Sequence, residues 1–206
     1  MPLTLSILWG RSTRLALHML AMLALATPVF AQAQSELWTA IKTQANIVLV
    51  GRHMDTGRGQ GTRYDPSGQC EGEVMLSEKG RRQAHAMGQA FEAQGMGPEK
   101  LHVVASAMCR MRDTAMLAFG KATLDPALRE SFSGSGARQN EFLDAAEAWA
   151  RKHRGTTPLV LLTHHPNIAA LTGEQPDYGQ LVVTESDENG GLKVLGVLRV
   201  FNPGNF

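Results

Sequence analysis

Cysteine is scarce in this chain of 206 residues, and so is any excess of charge of one sign. The two cysteines, Cys70 and Cys109, form neither a CxxC pair nor a spacing typical of a zinc site. The formal net charge of +1 leaves no basic footprint of the kind that nucleic-acid binding requires. Internal repeats, low-complexity tracts and interdomain linkers are also lacking. These absences argue against a nucleic-acid partner and favour one globular domain with its own core.

Long hydrophobic runs are equally rare, and the longest lies near the N-terminus. A basic pair, an apolar run and two small residues follow one another there: Arg11, Arg14, Leu15–Thr27, Ala31 and Ala33. This order predicts a secretory signal peptide over residues 1–33, cleaved after Ala31 or Ala33. An uncleaved membrane anchor is the alternative, but the run is shorter than the roughly 20 residues of a spanning helix and contains His18.

The mature chain, residues 34–206, is therefore expected to be a single exported domain, periplasmic or secreted, with no stable membrane insertion after cleavage. Its charge is close to neutral, because residues 1–33 hold two of the 20 basic residues and none of the 19 acidic ones. An exported compartment permits a disulfide between Cys70 and Cys109. Two free thiols are the alternative that the spacing leaves open.

Apolar runs and helical periodicities alternate along the mature chain. The predicted strands cover residues 47–50, 101–106, 158–163, 180–184 and 192–201. The predicted helices cover residues 35–42, 77–94, 113–119, 140–153 and 168–171. The segment 122–135 is predicted to be irregular. This order indicates an α/β fold, a three-layer sandwich in which helices flank a mostly parallel central sheet.

Arginine and histidine follow three of the predicted strands. The first strand ends at Arg52 and His53, the second leads to Arg110, and the third ends at His164 and His165. Because parallel strands share one carboxyl edge, we expect these side chains to meet in one crevice. Arginine forks suit the oxygens of a phosphoryl group and neutralise its charge, and a neutral imidazole can attack phosphorus.

A metal centre is the chief rival interpretation of these histidines. His53, Asp55, His164 and His165 would be its ligands. The charge of an adjacent arginine opposes a bound cation, so the pattern favours phosphoryl chemistry without a metal.

Four ordered motifs resemble those of the histidine phosphatase superfamily, which includes the phosphoglycerate mutases and many phosphomonoesterases. Gly51–Thr56 resembles its Arg-His-Gly signature, and Leu76–Ala84 resembles the helix after it. Ala105–Ala115 is similar to its Ser-Ser-Pro-x-x-Arg segment, and Leu162–Asn167 is similar to its second-histidine motif. The signal peptide and Pro176–Tyr178 also resemble the exported lipopolysaccharide core heptose phosphatases.

The resemblance implies roles for the residues at the matched positions. His53 would be the nucleophile and form a phosphohistidine, with a backbone acceptor at Nδ1 fixing its tautomer. Arg52 and Arg110 would hold the phosphate oxygens, and His164 would donate to the transition state. These roles require no metal and no other cofactor.

Further site residues follow from the same resemblance. Glu130 would be the proton donor to the leaving group, with Asp55 and Glu141 as alternatives. Thr56 and His165 would contact the substrate. The expected substrate is a small-molecule phosphate ester, whose identity the motifs do not specify, nor do they specify the oligomeric state.

Two departures from the family pattern bear on activity. Met54 stands where glycine is usual and is expected to crowd the backbone beside the nucleophile, and Ala107 replaces a proline. The short segment between Arg110 and His164 leaves little room for a cap, which disfavours mutase activity and implies an open site.

The sequence therefore predicts a phosphomonoester hydrolase, of the histidine acid phosphatase type, acting through a covalent phosphohistidine on a small or envelope-associated phosphate ester. The alternatives are a catalytically degenerate protein that binds phosphate or phosphoglycans, and a phosphohistidine protein phosphatase.

Overall fold

The computed structural model describes residues 31–59, 61, 63–131 and 136–206. Two compact units divide between Glu36 and Leu37. The described part of the first unit, residues 31–36, is helical. Residues 1–30 of the predicted signal peptide lie outside the described residues. The second unit, Leu37–Phe206, carries the sheet and the site.

A single six-stranded sheet forms the middle of the second unit. Its strands are β1 (Ile47–Arg52), β2 (His102–Ser106), β3 (Thr123–Asp125), β4 (Leu159–Thr163), β5 (Gln180–Ser186) and β6 (Leu192–Arg199). They lie in the order β3-β2-β4-β1-β5-β6. Strands β3, β2, β4 and β1 are parallel, whereas β5 and β6 add to β1 in antiparallel fashion. The predicted mostly parallel sheet is confirmed.

Helices cover both faces of the sheet. They are α1 (residues 31–43), α2 (Glu78–Ala93), α3 (Cys109–Phe119), α4 (Gly136–Lys152) and α5 (His165–Thr172). Alternate side chains of β1 divide between two hydrophobic layers, as the period of a strand requires. Ile47 and Leu49 pack with residues of α2 and α3, and Val48 and Val50 pack with residues of α4. The three-layer sandwich is therefore confirmed, and burial on both faces explains the continuous apolar strands.

Of the differences from the sequence predictions, three concern the site or the edge of the sheet. Strand β1 extends through Arg52, which places that arginine in the sheet. Helix α3 begins at Cys109 and not at residue 113, so Arg110 lies in its first turn. Strand β3 occupies part of the segment predicted to be irregular; it is three residues long and pairs with β2 only. It is too short to show an apolar pattern in the sequence, and its pairing with β2 at the edge of the sheet defines it.

Among the residues that the structure describes, no helix combines the length and the apolar character needed to cross a bilayer.

Candidate active site

A cleft of about 550 Å³ opens at the carboxyl edge of the parallel strands. Its lining combines cationic, acidic, aromatic and glycine residues: Arg52, His53, Thr56, Gly57, Gly59, Gly61, Val74, Arg110, Glu130, His165, Pro166 and Tyr178. Residues from the ends of β1, β2 and β4 therefore meet, as the strand topology predicts. Of the predicted site residues, His164 and the two alternative proton donors, Asp55 and Glu141, are absent from this lining.

His53 follows the last residue of β1 and is held as a neutral imidazole. Its Nδ1 lies 2.8 Å from the carbonyl oxygen of Met54, so Nδ1 carries the hydrogen and Nε2 is left unprotonated. Burial lowers the pKa of His53 to about 3, and Arg110 and Arg52 act in the same direction, against the Met54 carbonyl. The expected backbone acceptor at Nδ1 is confirmed, and the ring is in the state that a nucleophile needs.

Met54 does not crowd the cleft, contrary to the expectation from the sequence. Its side chain is 1% exposed and belongs to the hydrophobic layer that contains Ala84 and Met87. Its backbone N–H donates to Thr114 Oγ1 at 3.2 Å. The Met54 side chain, two residues after the end of β1, packs in the core and does not line the cleft.

The turn after His53 is fixed against the start of α2. Ser77, the N-cap of α2, donates from its hydroxyl to Asp55 Oδ1 at 2.6 Å, and the N–H of Gly57 donates to the same oxygen. A Cβ on Gly80 would stand 2.0 Å from the Asp55 carbonyl oxygen, so only glycine permits this approach. Burial raises the pKa of Asp55, but these hydrogen bonds outweigh it and lower the pKa overall. Asp55 is therefore a poor proton donor.

Arg110 lies at the floor of the cleft and is only 3% exposed. Its NH2 group donates to Glu130 Oε2 at 2.7 Å and to His164 Nδ1 at 3.2 Å. Its NH1 group has no hydrogen-bond partner among the described residues, and neither has Nε of Arg52. Because buried donors without acceptors are costly, these two arginines favour an anionic ligand in the cleft that both of them line.

Glu130 combines exposure to the cleft with a raised pKa. Burial raises it, and the charges of Arg110 and Arg52 only partly offset that effect. A carboxyl whose pKa is raised and that faces the cleft is a candidate general acid. Glu141, the remaining alternative, lies on α4 and forms an ion pair with Arg138. The geometry thus favours Glu130 over both Asp55 and Glu141.

His164 stands behind Arg110, fully buried. Since Arg110 donates to its Nδ1, its hydrogen is on Nε2, which lies 3.0 Å from Ser106 Oγ. Burial holds its pKa well below the usual range. In this arrangement both ring nitrogens are engaged with protein groups, and the histidine supports the guanidinium that faces the cleft.

Thr56 and His165 lie at the wall and rim of the cleft. The Thr56 hydroxyl donates to the carbonyl oxygen of Gly59 at 3.0 Å, which stabilises the glycine-rich wall. His165 is the first residue of α5, and burial and the charge of Arg52 lower its pKa. Both residues line the cleft.

A disulfide joins Cys70 to Cys109, with Cα atoms 5.8 Å apart. It decides between the two alternatives that the spacing left open, and it ties the loop before α2 to the first residue of α3. Glu73 reinforces the link, because its two carboxylate oxygens accept the backbone N–H groups of Asp65 and Cys109, each at 2.8 Å. The residue next to Cys109 is Arg110, so the bridge supports the floor of the cleft.

Tyr178 lines the cleft although the sequence analysis assigned it no role in the site. Its ring centroid lies 4.2 Å from Cζ of Arg52 and 6.3 Å from the His53 ring. Its place just before β5 could have predicted this position. An antiparallel strand begins at the sheet edge where its parallel neighbours end.

The residues named for the rival metal centre are not grouped as a metal site where the structure describes them. Across the described ranges, no three His, Cys, Asp or Glu side chains are grouped so as to hold a metal ion. The proposed ligands are instead engaged separately: Asp55 with Ser77, His164 with Arg110 and Ser106, and His53 with the Met54 carbonyl.

The fold and the cleft define an α/β protein with an arginine- and histidine-lined anion site at the edge of its sheet. Residues 48–160 match the histidine phosphatase superfamily (branch 1), and the chain belongs to this superfamily. No curated protein matches it significantly.

Three solved structures illustrate the shared fold. The product of open reading frame Rv3214 from Mycobacterium tuberculosis is 22% identical, with a TM-score of 0.56 over 75% of this chain and 98% of that one. The protein histidine phosphatase SixA, solved with tungstate, is 16% identical, with a TM-score of 0.50 over 77% and 98%. A Thermus thermophilus protein, TTHB049, is 20% identical, with a TM-score of 0.50 over 74% and 98%. At such identities the similarity establishes the fold alone.

Proposed function

We propose that the protein is a metal-independent phosphomonoester hydrolase that works through a phosphohistidine at His53. One observation carries the proposal: Arg52 and Arg110, each with a buried guanidinium donor that has no acceptor, line the same cleft as a neutral imidazole. Two arginine forks neutralise a phosphoryl group and leave its phosphorus open to attack. No cofactor takes part in this scheme.

In the first step, Nε2 of His53 attacks phosphorus and the bond from phosphorus to the ester oxygen breaks. The departing oxygen takes a proton from Glu130, a carboxyl whose pKa burial raises. His53 is left as a phosphohistidine and Glu130 as a carboxylate beside Arg110.

In the second step, water attacks the phosphohistidine. The Glu130 carboxylate takes a proton from the water, the N–P bond breaks, and inorganic phosphate leaves with the starting enzyme restored. Arg110, held by Glu130 and His164, keeps its fork on the phosphate oxygens in both steps.

The proposed substrate is a small or envelope-associated phosphate ester, met in the periplasm or outside the cell. The signal-like residues 1–33 and the disulfide between Cys70 and Cys109 support export, because disulfides persist in oxidising compartments. The resemblance of Pro176–Tyr178 to the lipopolysaccharide core heptose phosphatases supports a phosphosugar of the envelope as the substrate. The enzyme would then be a phosphomonoesterase of the histidine acid phosphatase type.

Two other functions use the same cleft. A degenerate phosphate- or phosphoglycan-binding protein was suggested by Met54, but that side chain lies in the core. A phosphohistidine protein phosphatase would apply the same attack to an N–P bond, and the arginines that line the cleft suit a phosphoryl group from either source.

Trapping the covalent intermediate tests the proposal. Purified protein is mixed with a ³²P-labelled phosphate ester and quenched, and the label is followed for release in acid. We expect acid-labile label on the wild type and none on His53→Ala, with phosphate release abolished in that variant. His85→Ala, at an exposed histidine of α2, is the matched control and should behave as the wild type. Retained turnover in His53→Ala, or turnover lost in EDTA, would overturn the mechanism.

The same assay separates the alternatives. A degenerate protein would bind phosphate without releasing it from any ester. A protein phosphatase would release phosphate from a phosphohistidine peptide in preference to phosphosugars.

A further inference from the structure

The turn that carries Tyr178 is fixed by hydrogen bonds from its backbone to neighbouring side chains. The N–H of Tyr178 donates to Asp177 Oδ1 at 2.7 Å, and the N–H of Asp177 donates to Gln180 Oε1 at 3.0 Å. Gly179 has φ +74, and a Cβ there would stand 2.5 Å from the ring of Phe201. Its carbonyl oxygen accepts the N–H of Val200 at 2.7 Å. The direction of the tyrosine ring is thus set by the turn before β5.

The ring meets the active-site arginine face on. Cζ of Arg52 lies 4.2 Å from the ring centroid, within the range of a cation–π interaction. Arg52 forms no ion pair with any described residue, in contrast to Arg110, which Glu130 holds at 2.7 Å. The two arginines are therefore oriented by different means, one by a carboxylate and the other by an aromatic face.

The difference has a chemical consequence. A carboxylate would occupy the in-plane donors of Arg52 and compete with a phosphate for them. Stacking on a ring uses the face of the guanidinium and leaves those in-plane donors free. Nε of Arg52 indeed has no partner among the described residues.

We infer that Tyr178 is a positioning residue that aims the guanidinium of Arg52 at the phosphoryl group. It acts through its ring face and not through its hydroxyl. The inference rests on the proposed function, since it assigns Arg52 to phosphate binding. Tyr178 also stands beside the nucleophile, with its centroid 6.3 Å from that of His53, so the same ring closes this side of the cleft.

The chain offers a matched control. Its only other tyrosine, Tyr64, also stacks on an arginine, with Cζ of Arg129 4.7 Å from the ring centroid, but it does not line the cleft. Tyr178→Leu and Tyr64→Leu thus remove equivalent cation–π contacts, only one of which involves a cleft residue. Tyr178→Phe keeps the ring and removes the hydroxyl.

Two readouts test the inference, turnover of an aryl phosphate and calorimetric binding of vanadate. We expect Tyr178→Leu to weaken vanadate binding and lower kcat/KM by roughly three- to thirtyfold, the range of a partly desolvated cation–π contact. Tyr178→Phe and Tyr64→Leu should stay within about twofold of the wild type, and the pH profile of Tyr178→Phe should be unchanged. In an Arg52→Gln background, Tyr178→Leu should have no further effect on vanadate binding.

The outcomes are decisive in either direction. Wild-type vanadate binding by Tyr178→Leu, additive losses with Arg52→Gln, or a pH limb lost in Tyr178→Phe would overturn the inference. A wild-type protein that binds vanadate but hydrolyses no ester would refute the proposed function while leaving this test intact. If Tyr178→Leu fails to fold, NMR of the wild type replaces it: Arg52 Hδ signals without an upfield ring-current shift would contradict the stacking.

Discussion

Arg110 and Glu130 share one hydrogen bond, 2.7 Å from NH2 to Oε2, at the floor of the cleft. The pair joins an anion-binding group to the proposed proton donor. Burial nevertheless raises the pKa of Glu130, because the arginine offsets only part of the desolvation of the carboxylate. The acid and the anion site are therefore a single unit, and a change in one will alter the other.

Glu130→Gln should slow turnover by about 10²–10⁴-fold, the usual contribution of a positioned acid. The amide oxygen can still accept from Arg110, so vanadate binding should change little. The loss should be greater for alkyl phosphates than for 4-nitrophenyl phosphate, whose leaving group needs no proton. Glu141→Gln is the control on α4, and it should retain full activity. Equal losses with both classes of substrate would remove Glu130 from proton donation.

The pH dependence of stability should carry a signature of His53. An unfolded histidine binds its proton near pH 6.5, whereas burial lowers the folded pKa to about 3. The unfolded state therefore takes up the proton first, and the free energy of unfolding should fall as the pH is lowered from about 6.5 toward 3. Urea titrations between pH 7.5 and 4.5 should show a shallower fall in His53→Gln. His85→Gln, at an exposed position, should keep the wild-type slope; identical slopes in all three proteins would contradict the assignment.

Loss of the disulfide should reduce both stability and activity. The bridge closes a loop of 39 residues, for which chain entropy gives about 4 kcal/mol. A Cys70→Ser, Cys109→Ser double variant should unfold at lower urea concentration and show a raised KM, because Arg110 follows the bridged residue. A reductant should reproduce this effect in the wild type and leave the double variant unchanged. If reduction left the activity unchanged, the hydrogen bonds of Glu73 alone would hold the loop before α2 against α3.

Gly80→Ala should disturb the turn after the nucleophile. The added methyl group would meet the Asp55 carbonyl oxygen at 2.0 Å, so α2 or the turn must move, and we expect lower stability and lower kcat. Gly136→Ala in α4 is the matched control, since a Cβ there meets nothing within 4 Å. That substitution should be neutral or slightly stabilising, because alanine favours helix. Thermal melts and aryl phosphate assays of the pair provide the measurement.

The sequence predicted the elements whose burial leaves a pattern. Strands β1 and β4 are buried on both faces, which requires uninterrupted apolar runs. Ser77 predicts the start of α2 because serine is a favoured N-cap residue. The start of α3 escaped prediction because its N-cap, Met108, makes no side-chain capping hydrogen bond. Strand β3 was not predicted because it is defined by edge pairing and not by burial of an apolar face.

The candidate site shows the same difference between features that leave a pattern in the sequence and features that do not. Arg52, His53 and Arg110 could be placed together because parallel strands end at one edge. The sequence could not show that Met54 turns into the core, since a side chain after a strand end has no fixed face. Nor could it show that His164 faces Arg110 and Ser106, because that orientation depends on tertiary contacts between separate elements.

Strand β1 is paired on both sides, with β4 along one edge and β5 along the other. Amide protons next to the nucleophile should consequently exchange with solvent only in the rarest openings of the molecule. The described glycines of the cleft wall, Gly57, Gly59 and Gly61, lie outside the strands. In the proposed mechanism the attacking histidine therefore stands at a rigid strand end, whereas a redesign for a new leaving group can begin in the loop.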